Sequence, residues 1–216
     1  MDYIDKITFG SPDVYDAILI NTESQYDRLF AQFTAFTFPK NSSPATRDEM
    51  NAIQEGLAKL RKDPESVKRF QLYDRNLPDY IAKYLTLYKL DYNETMQFVQ
   101  SVVGDIKPFV VKLKYFHQRP RPYQLAAHYK HRLFPFRGLF SQTPSFPSLK
   151  AVEARVLFEI LGNQYPEIYG EMRAMYEDII YSRVAMGINY QSDVDVGVFV
   201  GDTICALPEF KRKYRL

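Results

Sequence analysis

Apolar residues along this chain recur at intervals of three and four rather than two, and that rhythm confines the fold to helices. Met50, Ile53, Leu57 and Leu60 form one stripe of a helix predicted over 45–61, while Ile81, Leu85 and Tyr88 form another that opens at Leu77-Pro78. Asp63-Pro64 pairs an N-cap with a proline at the first helical position, so a helix starts there. An earlier helix is expected over about 11–33, broken near Asn21-Thr22, and a long one over 93–117 with Pro108 kinking it. Further helices are expected over 148–163, 166–187 and 191–207. Pro39 and Pro44 mark a turn, and 129–148 reads as a loop dense in Pro, Gly, Ser and Arg. Convincing period-2 strands are absent. The expectation is an all-α helical bundle in one domain spanning 1–216, with a site where the irregular loop meets a helix.

Hydrophobic residues make up 46% and charged residues 25%, enough apolar content for a real core. A net charge of +2 leaves no electrostatic footprint for nucleic acid, so the 17 Tyr and 16 Phe read as core edges rather than as a base-stacking platform. Cys205 is alone, which excludes an intrachain disulfide and a cysteine zinc site. The acidic, polar start lacks the parts of a secretory signal. No apolar run reaches about 18 residues, the best, 194–207, being interrupted by Asp195 and Asp202. A soluble, intracellular protein without membrane insertion is expected. The basic tail from Lys211 to Arg215 reads as a solvated, frayed end.

Three segments carry chemistry. In the first, Lys114 precedes Arg121-Pro122 by seven residues, so on a helix ending near the prolines the two cations share a face within about 20°. A point charge and a planar fork suit a phosphate, although an ordinary basic helix end looks the same. In the second, Pro147-Ser148-Leu149-Lys150 opens a helix whose free N–H groups face whatever lies ahead, with Ser148 also readable as a plain N-cap. In the third, Ser182-Arg183 is followed by Asn189 and Asp193, four apart. They meet on one face of a continuous helix; if Gln191 or Ser192 caps a new helix, Asp193 can still reach back.

In order and spacing these segments resemble the type 2 phosphatidic acid phosphatase and vanadium haloperoxidase superfamily over roughly residues 110–200. Its pattern is Lys, six residues, Arg-Pro; then Pro-Ser-Gly-His; then Ser-Arg, five residues, His, three residues, Asp. Lys114 with Arg121-Pro122 matches the first element, and an offset copy exists at Lys112 with Arg119-Pro120. The Lys114 register is preferred because Arg119 then takes the place of a further arginine that acid phosphatases of this family often carry. Pro147 and Ser148 match the second element, and Ser182, Arg183 and Asp193 the third. The resemblance implies a phosphate pocket formed by Lys114, Arg121, Ser148, Leu149, Lys150 and Arg183; no metal and no cofactor are expected in this chain.

Both catalytic histidines of that pattern are replaced. Asn189 stands where the family has its nucleophile, and a carboxamide cannot attack phosphorus. Lys150 stands where the family has its general acid, preceded by Leu149 in place of a glycine whose N–H approaches the phosphate. Burial beside Arg121 and Arg183 is expected to depress the Lys150 pKa, and Leu149 to crowd or close the approach. Losing a nucleophile from a coupled set costs on the order of a million-fold in rate. The expectation is therefore a pseudoenzyme that keeps an anion pocket for phosphate or a phosphorylated small molecule. It could also serve as a structural or accessory subunit of an assembly or homo-oligomer. The competing expectation is a phosphomonoesterase with a rearranged site, using Lys150 as acid and water, assisted by Asp193, as nucleophile; a vanadium peroxidase is weaker, since Asn189 replaces the vanadium ligand. His117 could face the same pocket or be a partly buried helix histidine, and His128 and His131, three apart, suit a structural role better than a metal.

Overall fold

The computed structural model describes residues 2–136 and 142–216. Residues 137–141, inside the predicted loop, lie outside the described residues. The described residues form helices and no strand: α1 (Val14–Asn21), α2 (Phe30–Thr34), α3 (Pro44–Leu60), α4 (Pro64–Leu85), α5 (Tyr92–His117), α6 (Pro122–Leu125), α7 (Leu149–Gln164), α8 (Tyr169–Ala185), α9 (Gln191–Ala206) and α10 (Pro208–Tyr214). The protein is an all-α bundle, as expected.

The helices start where the caps predict. Ser43 and Asp63 accept from the backbone N–H groups of Thr46 and Ser66, each before a proline at the first position, and Asp91 caps α5 through Glu94. Val99, Val102, Ile106, Phe109, Val110 and Leu113 of α5 recur every three or four residues and are wholly buried, placing that helix in the middle of the core. It packs against α1, α4 and α7, and α7 in turn lies against α8 and α9.

Two expected breaks are present and one element departs from expectation. A helix does start at Leu77-Pro78: α4 is two helical runs meeting at a kink, where Asn76 leaves helical geometry (φ −158°, ψ 76°) and its Oδ1 accepts from the Asp79 N–H. The 11–33 stretch is broken at Asn21-Thr22 as expected, α1 ending at Asn21 and α2 starting at Phe30. The basic tail is not frayed: it forms α10, held by buried Phe210 and Tyr214 and by an ion pair between Lys213 and Asp105.

Two glycines bring the elements of the site together. Gly187 turns the chain after α8 at φ +72°, a left-handed conformation that favours glycine, and returns Asn189 towards the core. Gly197 lets α9 meet the start of α7: a Cβ there would lie 2.6 Å from the Ser148 carbonyl oxygen and 2.9 Å from Ala151 Cβ.

Candidate anion-binding site

All six residues assigned to the phosphate pocket line one cavity of about 370 Å³, and Asn189 lines it too. Lys114 comes from the last turn of α5. Arg121 does not continue that helix, contrary to the shared-face expectation. The helix ends at His117, Gln118 turns left-handed (φ 55°), and Arg121 stands at the N-cap of α6. The two cations therefore converge through a chain reversal. Lys112, the offset alternative, points elsewhere and pairs with Asp27.

Each cation has a defined set of partners. Lys114 Nζ donates to the carbonyl oxygens of Pro144 (2.7 Å) and Ser145 (3.3 Å), and burial, with Arg121 nearby, holds its pKa well below the ordinary lysine value. Arg121 donates to the carbonyls of Thr143 (2.8 Å) and Ile188 (3.0 Å), and burial lowers its pKa to about 10. Arg183 donates Nη2 to Asp74 Oδ1 at 2.7 Å. Its Nε and Nη1, and Asp74 Oδ2, are buried without a hydrogen-bond partner among the described residues. Buried donors left unpaired are costly, so Arg183 is the strongest attractor for an incoming acceptor.

The start of α7 completes the wall. Ser148 is its N-cap residue, but its side chain makes no capping bond, and its own N–H donates to the Asp193 carbonyl at 2.9 Å. Lys150 is not a free proton donor set between arginines. Its Nζ pairs with Glu153 Oε2 at 2.7 Å, three residues along the helix. Leu149 packs partly against the main core and is part of the cavity wall.

Asn189 and Asp193 meet across the start of α9, which begins at Gln191. Asn189 Nδ2 donates to the Ser145 carbonyl (2.8 Å) and to Asp193 Oδ2 (3.2 Å). Asp193 reaches back to the Tyr190 N–H (2.9 Å), accepts from Ser145 Oγ, and forms a buried ion pair with Arg119 at 2.6 Å. Arg119 also pairs with Glu49 (3.0 Å) and lies over the Tyr190 ring, its guanidinium carbon 3.9 Å from the ring centroid. The Arg119–Asp193 pair thus braces the site from behind.

Sequence reasoning missed Asp74, Glu153 and Thr143. Glu153 had a local signal, its i,i+3 spacing from Lys150. Asp74 had none, because its partner Arg183 is 109 residues away. The histidines take structural places. His117 Nε2 contacts the Phe33 carbonyl at 3.1 Å, its ring packs edge-on to Phe146, and burial lowers its pKa. His128 and His131 flank Tyr129, and among the described residues no three His, Cys, Asp or Glu side chains gather as metal ligands. No helix among them is long and apolar enough to cross a membrane. No protein-family model matches the chain, and no curated protein matches it significantly.

Proposed function

We propose that this chain is a catalytically degenerate relative of the phosphatidic acid phosphatase and vanadium haloperoxidase superfamily that binds a phosphate-type oxyanion without the phosphohistidine reaction. The observation that carries this reading is convergence: residues from three segments far apart in the chain line one cavity, where Arg183 keeps two buried donors without acceptors. A phosphate oxygen would satisfy those donors by charge-assisted bonds. Asn189 removes the nucleophile.

The competing reading, a phosphomonoesterase using Asp193 to activate water, is less well supported. Both Asp193 oxygens are engaged by buried donors, and Asp193 does not line the cavity. Calorimetric titration with inorganic phosphate, together with hydrolysis of an aryl phosphate by the same preparation, tests the proposal. Saturable phosphate binding, weakened at least about tenfold by Arg183→Ala, with no turnover, is the expected result. Robust turnover abolished by Lys150→Ala would establish the enzyme reading instead.

A further inference from the structure

The cavity contains acids as well as bases, and one of them bears on which anion fits. Asp74 lies just before the Asn76 kink and is 1% exposed. Its Oδ1 accepts from Arg183, while its Oδ2 is buried with no donor among the described residues. Arg183 Nε and Nη1 are unsatisfied donors on the other member of the same ion pair, and both residues line the cavity. One ion pair thus leaves two buried donors and one buried acceptor unsatisfied on residues that line a single cavity.

A ligand that satisfies all three must accept from the guanidinium and donate to the carboxylate. We propose that Asp74 makes the site selective for an oxyanion carrying its own proton, inorganic hydrogen phosphate, over anions that have none. Hydrogen phosphate places an oxygen against Arg183 and directs its O–H to Asp74 Oδ2, forming a short charge-assisted bond. Sulfate has nearly the same size and charge but presents only lone pairs, so at Asp74 it meets a carboxylate lone pair with its own. A site built to accept from a hydroxyl rejects an analogue lacking it far more strongly than size alone allows. A dianionic phosphate ester fails in the same way: its second ionisation lies near pH 6, so at pH 8 it carries no proton.

The inference rests on the anion-binding reading above, and one experiment separates the two. Inorganic phosphate, sulfate and phenyl phosphate are titrated into the whole chain at pH 8 and constant ionic strength. Phosphate is expected to bind about a hundredfold or more tightly than either of the others. In Asp74→Asn the amide N–H can serve an aprotic anion, and the preference should fall to within roughly tenfold. If none of the three binds, the anion-binding reading itself fails. If phosphate binds but sulfate or phenyl phosphate binds as tightly, the anion reading stands and the role of Asp74 is overturned. An unchanged preference in a folded Asp74→Asn, checked by circular dichroism, also overturns it. The wild-type comparison decides even if that variant does not fold.

Discussion

Asn189 donates its side-chain N–H to Asp193 Oδ2 at 3.2 Å, four residues along the chain, with both side chains closed to solvent. The contact keeps the spacing and direction of an imidazole–carboxylate pair but not its chemistry. An amide can hold the carboxylate in place; it cannot attack phosphorus or become a cation that the carboxylate stabilises.

On the proposed reading, placing imidazoles at positions 150 and 189 should produce some reaction. The variant Leu149→Gly/Lys150→His/Asn189→His is expected to hydrolyse p-nitrophenyl phosphate at least about a hundredfold above the background rate to which wild type is confined. That would still be far short of the roughly million-fold that a lost nucleophile costs. Initial rates measured across pH check this, and a rate equal to wild type would mean that the cavity does not orient an ester for in-line attack.

The brace behind the site is a fold element before it is a functional one. Asp193→Ala leaves the Arg119 guanidinium buried between Tyr190 and Phe38, with Glu49 and Ser192 as its remaining side-chain hydrogen-bond partners among the described residues. Breaking a buried pair from one side costs roughly 3–5 kcal/mol. Urea unfolding should show a loss of that size, and a change below about 1 kcal/mol would place the pair among those of little consequence.

Gly197→Ala should damage the site from a distance. The added methyl would lie 2.6 Å from the Ser148 carbonyl, which is backbone and cannot swing aside. Pushing α9 off the start of α7 is expected to cost about 1–3 kcal/mol, as overpacking does. It should also weaken phosphate binding, because Ser148, Leu149 and Lys150 move with that backbone. Stability and affinity both unchanged would count against this coupling.

Lys114 sets a pH dependence whose sign can be worked out. Its folded pKa lies well below the ordinary value of 10.5, so between the two the unfolded chain binds more protons. Stability therefore rises with pH through that window. The penalty of burying Lys114 is absent above about pH 10.5, appears as pH falls, and is complete below the folded pKa. Subtracting the Tm of Lys114→Met from that of wild type isolates the effect. The difference should move in favour of wild type between pH 8 and 10.5; a flat difference would contradict the lowered pKa.

The helices were legible because the forces that define them are local. The expected spans for α3, α5, α7 and α9 lie within a residue or two of the observed ones, since caps, prolines and a three-to-four spacing act within a turn or two. The C-terminal tail was misread for the complementary reason. Phe210 and Tyr214 are four apart, but that stripe has value only once a groove exists to bury it. The start at Leu77-Pro78 was legible from the proline, while the sequence did not show that the run before it would abut it across the single residue Asn76.

By itself the sequence determined that the chain is helical and that Lys114, Arg121, Lys150, Arg183 and Asn189 stand in three short segments whose spacing resembles one family's pattern. Those properties belong to residue types and short spacings. Only the tertiary structure decided what each cation faces: carbonyls for Lys114 and Arg121, Glu153 for Lys150, and Asp74 for Arg183. Electrostatic interactions fall with distance in space and not along the chain, so the carboxylate that Arg183 meets in the cavity wall comes from 109 residues away.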